Sequence, residues 1–158
     1  MRTTTIIRVS IATLASLFIL SACSESDAAD TTKPVINLIE PADNDTLRIG
    51  ADVHLEMELS DDVMLGSYKI EIHNNFNDHT HGTKTVAEEM PFAFNRSWDL
   101  TGKRNATIHH HEIVIPENAQ PGKYHLMVYC TDEAGNESYA ARSIVLLHEG
   151  GEDHDHAE

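Results

Sequence analysis

Apolar and polar residues alternate with a period of two in three separate stretches of the chain. The stretches run from Val53 to Leu59, from Tyr68 to His73 and from Tyr124 to Cys130. Successive side chains of a β-strand point to opposite faces of the sheet, so this period is typical of a strand with one buried and one solvated face. The pattern predicts three strands.

Shorter or less regular apolar segments predict further strands. They are Val35–Ile39, Phe92–Asp99, Thr107–Ile115 and Ser138–Leu147. Turn signals rich in Asp, Asn, Gly and Pro separate the segments, among them Pro41–Asp45, Ser60–Asp62, Thr101–Lys103, Pro121–Gly122 and Glu133–Asn136. About seven short strands in roughly 115 residues, with no helical periodicity, predict an all-β fold, a single antiparallel β-sandwich.

The first 22 residues have the pattern of a signal peptide. Arg2 and Arg8 precede an apolar run of about 12 residues, which is shorter than the roughly 20 that a transmembrane helix needs. The following Leu20-Ser21-Ala22-Cys23 resembles the bacterial lipobox, which implies cleavage before Cys23 and acylation of its thiol. The protein is then held on the cell membrane or outer membrane, outside the cytoplasm, facing the periplasm or the surface. The alternative is an ordinary secreted protein that keeps Cys23 as a thiol.

Composition divides the remainder into a tether at residues 23–32, a sandwich at 33–147 and a disordered tail rich in histidine and acid at 148–158. The whole chain carries a net charge of −15. Loss of residues 1–22 removes two arginines and no acids, so the mature charge is −17. Such an acidic protein disfavours nucleic acid as a partner and favours cations.

Two motifs resemble known families. Gly122-Lys123-Tyr124 followed by Cys130–Asn136 resembles the last hairpin of bacterial immunoglobulin-like (Ig-like) domains. Ile72–Phe76 with His79-Thr80-His81, then Ile113–Pro116 and Gly122–His125, resembles the domain of unknown function 4625 family of bacterial lipoproteins. The resemblance implies an Ig-like sandwich in an envelope lipoprotein and names no substrate. Cys130 alternates inward and is expected to be a buried, inert thiol.

Histidine is unusually abundant, with 11 residues against 11 lysines plus arginines. In the strand order of an Ig-like sandwich, the strand ending near His73 neighbours the strand beginning near Tyr124. His73 and His125 are then expected on the same outer face, with His79 and His81 on the loop that follows. Imidazoles ligate zinc and copper(II), so these four histidines are the predicted metal ligands.

Two further groups of histidines extend this prediction. Alternation from Ile113 and Ile115 places His109 and His111 on the isoleucine face and His110 on the other, so His109 or His111 is an additional candidate ligand. The tail histidines His148, His154 and His156 are expected to scavenge metal loosely. A delivered metal implies a recipient, such as an outer-membrane transporter or another envelope protein.

Other functions remain open at this point. The acids and amides Asp61, Asp62, Asp132, Glu133 and Asn136 suggest calcium, but turn chemistry explains the run from Asp132 to Asn136 better. No Gly-x-Ser-x-Gly elbow or phosphate-binding loop occurs, so we expect no enzyme. The histidines could instead sense pH. The main alternative to metal binding is an Ig-like adhesion or interaction module of the envelope.

Overall fold

The computed structural model describes residues 29–75 and 89–148. The predicted lipidation site Cys23, the loop histidines His79 and His81, and the tail histidines His154 and His156 lie outside the described residues. Every regular element of the described residues is a β-strand. None of them forms a helix long and apolar enough to cross a membrane.

Six strands make up the described structure, and two of them are long because each contributes to both layers of a sandwich. The strands are β1 (Val35–Glu40), β2 (Asp45–Arg48), β3 (Asp52–Asn74), β4 (Phe94–Val114), β5 (Gly122–Asp132) and β6 (Glu137–Leu147). The β3–β4 register shifts between Ser60 and Leu65, where β3 passes from one layer to the other. The segments predicted as separate strands on either side of Ser60–Asp62 are therefore the halves of β3, and the two around Gly102 are the halves of β4.

One layer consists of β1, the first half of β3 and the second half of β4. The other contains the first half of β4, the second half of β3, β5, β6 and β2, which pairs in parallel with β6. The alternating apolar residues of both layers form one core, in which Val53, Leu55 and Met57 have 0% exposed surface. The prediction of an all-β, Ig-like sandwich is confirmed.

Two hydrogen-bonded corners fix the start and end of β5. The Tyr124 hydroxyl donates to the Gln120 carbonyl (2.7 Å) and accepts the Phe92 N–H (3.1 Å), which is the tyrosine corner of Ig-like folds. At the other end, Asp132 Oδ1 accepts the Asn136 N–H (2.7 Å), and Gly135 has a φ of 91°. The turn chemistry expected of this segment is therefore present.

Candidate metal centre

Three histidine rings lie together on the outer face of the layer that contains β1. His54 belongs to β3, and His109 and His111 belong to β4. One ring nitrogen from each lies within 4.8 Å of the other two. The His54 centroid is 4.9 Å from each of the other centroids, and those two are 5.8 Å apart. We call these three residues the histidine triad.

A β-bulge brings the triad together. Val53 pairs with Ile113 and Leu55 pairs with His110, so two residues of β4, His111 and Glu112, lie opposite the single residue His54. A bulge of this kind adds one unpaired residue and bends the strand. On the N-terminal side of the bulge, the residues of β4 that unbroken alternation from Ile113 would place inward point outward instead. His109 and His111 both point outward as a result.

The prediction that His109 and His111 share the face of Ile113 and Ile115 is therefore wrong. Both are exposed on the face opposite to the buried Ile113, while His110 is the half-buried one. His110 Nε2 lies 3.3 Å from the Tyr68 hydroxyl, and the His110 ring lies 5.2 Å from the Trp98 ring. The prediction assumed unbroken alternation back from Ile113, and the extra residue in the bulge inverts it.

Glu112 is the second residue of the bulge, and its hydrogen bonds hold the bulge in place. Its backbone N–H donates to His110 Nδ1 (3.3 Å), and its carboxylate accepts hydrogen bonds from Trp98 Nε1 (3.2 Å) and Arg96 (2.8 Å). Trp98 is in turn stacked on Tyr68 at 4.8 Å with an angle of 4° between the rings. This network fixes the backbone that carries His111 and lies apart from the triad itself.

The electrostatic surroundings of the triad suit a cation. Asp52 Oδ2 lies 2.6 Å from His111 Nδ1, a contact that holds the ring proton on Nδ1 and leaves the Nε2 lone pair available as a ligand. Among the described residues, His54 Nε2 is buried and has no hydrogen-bond partner. Buried polar atoms without a partner are uncommon in folded proteins, and a metal ion would satisfy this one.

The spacing of the ring nitrogens is close to what a metal requires. Zinc–nitrogen bonds of about 2.0–2.1 Å place tetrahedral ligand atoms roughly 3.4 Å apart. The nitrogens of the triad, which lie within 4.8 Å of one another, need to approach by at most about 1.4 Å. His109 and His111 are exposed, so rotation of their side chains can supply this movement without repacking the core.

The structure brings His73 and His125 together on the opposite layer, as alternation predicts. They are directly opposite in the β3–β5 ladder, and their ring centroids are 5.5 Å apart in an edge-to-face arrangement. The Asn75 side-chain amide donates to His125 Nε2 (3.0 Å), which occupies one nitrogen of the pair. Since His79 and His81 lie outside the described residues, a metal site built from these four histidines stays a prediction.

The first tail histidine has a partner in the described structure. His148 Nε2 lies 3.3 Å from Glu89 Oε1. This contact joins the residue after β6 to the residue before the Met90–Ala119 bridge. Loose metal scavenging by His148 together with His154 and His156 stays a prediction.

The acidic residues that suggested calcium act in turns. Asp61 Oδ1 accepts the backbone N–H groups of Val63 (2.9 Å) and Met64 (2.7 Å) where β3 bends, and Asp62 accepts the Thr32 hydroxyl (3.1 Å). Burial alone would raise the Asp132 pKa, but hydrogen bonds, chiefly from Asn136, lower it on balance. These contacts make Asp61 Oδ1 and Asp132 capping groups, while Asp61 Oδ2 is buried without a partner and one carboxylate oxygen from each of Asp30, Asp61 and Asp62 lies within 4.8 Å of the other two.

Sequence reasoning missed His54, the central member of the triad. Alternation placed His54 correctly on the solvated face of its strand, between Val53 and Leu55. Alternation within one strand does not show which other strand pairs with it. The signal that could have found the site is pairing between the strand of His54 and the strand of His109 and His111, which are neighbours in an Ig-like sandwich.

Fold and site define an Ig-like β-sandwich with a histidine cluster on one outer face. The chain belongs to the family described as Domain of unknown function (DUF4625), whose model matches residues 21–147. This match confirms the resemblance seen in the sequence. A solved structure described as the fibronectin(III)-like modules of Clostridium thermocellum CbhA is similar at 14% identity, with a TM-score of 0.41, over 73% of this chain and 99% of that chain. A search of curated proteins finds no match.

Proposed function

We propose that this protein is a lipid-anchored, extracytoplasmic Ig-like domain that binds a divalent transition metal, zinc or copper(II), through His54, His109 and His111. The observation that carries the proposal is the convergence of three ring nitrogens within 4.8 Å. The buried, unpartnered Nε2 of His54 and the hydrogen bond from Asp52 to His111 support it. Imidazole is a ligand for both ions, and copper(II) generally binds more tightly than zinc at such sites.

A binding role without catalysis fits the same features. Among residues 29–75 and 89–148, the clusters of potential metal ligands are the histidine triad and the carboxylates of Asp30, Asp61 and Asp62, and neither needs a reaction to explain it. The ion would be held for storage, sensing or transfer to another envelope protein, such as an outer-membrane transporter.

The anchor is the second part of the proposal and rests on the sequence around Cys23. Several acyl chains on one cysteine give durable attachment, because each buried methylene contributes about 0.8 kcal/mol. A Cys23→Ser variant should leave the detergent phase and no longer incorporate labelled fatty acid. If that variant partitions with membranes as the parent does, acylation of Cys23 is not the anchor.

Metal titration tests the binding role. The chain from Ser24 to Glu158, with His148, His154 and His156 replaced by alanine, removes the tail as a competing ligand. We expect a zinc dissociation constant below about 100 μM at pH 7.5, weakened at least tenfold by His54→Ala or His111→Ala. Circular dichroism of each variant checks that the sandwich is intact.

The other histidine pair provides the matched control. His73→Ala and His125→Ala remove imidazoles from the opposite layer and should leave zinc binding at the triad unchanged. Loss of binding in these two variants alone would move the site to the predicted set of His73, His79, His81 and His125. Dissociation constants weaker than about 100 μM for both zinc and copper(II) would end the metal hypothesis.

A second candidate function is that of an interaction module. The observation that favours it is an aromatic patch on the outer face of the β5–β6 pair, where Tyr139 is 69% exposed and its ring lies 6.2 Å from that of Tyr129. Lys69 covers the Tyr129 ring at 4.1 Å. Exposed tyrosines are enriched at protein interfaces. A Tyr139→Ser variant that loses an envelope partner while retaining zinc would favour this function.

A further inference from the structure

The histidine triad supplies three nitrogen ligands, and zinc usually takes four. The fourth ligand can come from water or from a side chain on the same outer face. Four acidic residues of β1, β3 and β4 are candidates: Asp52 and Glu56 lie two positions on either side of His54, Glu112 follows His111, and Glu40 pairs with Glu56. Their existing contacts and their positions decide which of them is available.

Two of the four acids are already engaged. Asp52 holds His111 Nδ1 at 2.6 Å, and Glu112 accepts hydrogen bonds from Trp98 and Arg96. Among the described residues, the carboxylates of Glu56 and Glu40 make no hydrogen bond or ion pair. The neighbour of Glu56 on the same face, Glu58, accepts a hydrogen bond from the Asn37 amide at 3.2 Å.

Glu56 also has the best position. It lies two residues after His54 on β3, so the two side chains share a face, and it is directly opposite His109 in the β3–β4 ladder. Side chains opposite one another in an antiparallel pair have Cβ atoms about 4.5–5.5 Å apart. The Glu56 side chain, which is half-buried and flexible, can therefore reach an ion held by His54 and His109.

A like charge next to Glu56 gives a further reason for a cation here. Glu40 of β1 is directly opposite Glu56 on the other side of β3. Like charges directly opposite in a sheet are destabilising, and a divalent cation at Glu56 would relieve the repulsion.

We propose that Glu56 is the fourth ligand, so that one chain closes a site of three imidazole nitrogens and one carboxylate oxygen. This inference rests on the proposed metal function of the triad. A closed four-ligand site is typical of ions that are held rather than used in catalysis. A carboxylate also favours a divalent ion over copper(I), which prefers sulfur ligands.

Glu56→Gln tests the proposal because it removes the charge and keeps the shape of the side chain. In the tail-substituted chain from Ser24 to Glu158, we expect zinc binding to weaken about tenfold or more. Cobalt(II) serves as the optical probe: the parent should show the strong visible absorption of a four-coordinate ion, and Glu56→Gln should show a weaker, altered spectrum.

Two matched variants separate ligation from net charge. Glu58→Gln and Glu40→Gln each remove one negative charge from the same layer and should change zinc affinity by less than about threefold, with the cobalt(II) spectrum unchanged. Thermal unfolding without metal checks that all three variants fold. An effect of Glu56→Gln no larger than that of Glu58→Gln would overturn the proposal, and a larger effect of Glu40→Gln would assign the ligand to Glu40.

The outcomes also distinguish this inference from the function on which it rests. If His54→Ala abolishes zinc binding and Glu56→Gln does not weaken it, the triad binds metal and the fourth ligand is elsewhere. If the parent chain does not bind zinc, or His54→Ala has no effect, both proposals fail together.

Discussion

Asp52 and His111 face each other across β3 and β4, with Asp52 Oδ2 2.6 Å from His111 Nδ1. Both side chains are about half-exposed, so their direct contribution to folding is small. The contact instead orients the His111 ring, because a carboxylate on one imidazole nitrogen fixes the ring and its tautomer.

We therefore predict that Asp52→Ala weakens zinc binding about 10- to 100-fold, the range typical for loss of such a partner. The free energy of unfolding without metal should change by less than about 1 kcal/mol. Calorimetric titration and urea denaturation measure the two quantities. Asp62→Ala, at the far end of the first half of β3, is the control and should leave zinc affinity unchanged. Equal affinities for the parent and Asp52→Ala would show that His111 needs no orienting partner.

Much of the fold followed from alternation in the sequence. Leu55 and Tyr124 point inward in the structure, and His73 and His125 meet on one outer face, because a period of two maps directly onto the two sides of a sheet. The resemblance of the last hairpin to Ig-like domains then supplied the strand order. Strand β2 was missed, since four residues between turn signals have too little pattern to show a parallel pairing with β6.

The candidate site was less predictable because it depends on one inserted residue. A bulge at His111–Glu112 has no signature in local composition, yet it inverts the faces of every residue on its N-terminal side. The bends in β3 and β4 could not be predicted from the sequence either, since they depend on packing between the two layers. His54 could be assigned a face from its own strand, but its partners come from a strand about 55 positions later, and register between distant strands is set by tertiary contacts.

His110 gives the protein a specific dependence on pH. Burial is the main cause that lowers the pKa of this histidine; Glu112 opposes it, and Arg96, His111 and His109 add smaller contributions that lower the pKa further. An unfolded chain would take up the proton near 6.5. Between that pH and the lower pKa of the folded state, the unfolded state binds more protons, so stability is full above about 6.5 and falls as the pH decreases.

We predict that the midpoint of urea unfolding decreases between pH 7 and pH 5 more in the parent than in His110→Gln, which has no titrating ring. Protonation also places a proton on Nδ1, which breaks the hydrogen bond from the Glu112 N–H. The emission of Trp98, 5.2 Å from the His110 ring, should change over the same pH range and provide a second readout. Parallel pH profiles for the parent and His110→Gln would show that other groups dominate.

The Tyr124 hydroxyl should be important for stability. It donates to the Gln120 carbonyl and accepts the buried Phe92 N–H, so Tyr124→Phe leaves two backbone groups without these partners. We predict a loss of about 1–3 kcal/mol in the free energy of unfolding, measured by urea denaturation. Tyr139→Phe removes a hydroxyl from a largely exposed ring and should cost less than about 0.5 kcal/mol. Equal values for the two variants would contradict a structural role for the corner.

The final prediction concerns Cys130, which has 0% exposed surface and is the only cysteine left in a chain that begins at Ser24. Burial raises the pKa of its thiol to about 11, with further contributions from Asp61 and Asp132. Because the thiolate is the reactive form, we expect no reaction with a thiol reagent at pH 7.5 until urea unfolds the chain, and one thiol per chain after that. Rapid labelling of the folded protein at pH 7.5 would contradict a buried, inert thiol.

The raised pKa of the Cys130 thiol also has a consequence at alkaline pH. The unfolded thiol ionises near its ordinary pKa of about 9 while the folded one keeps its proton, so the free energy of unfolding should fall as the pH rises above 9. In Cys130→Ala, which has no thiol to ionise, it should fall less.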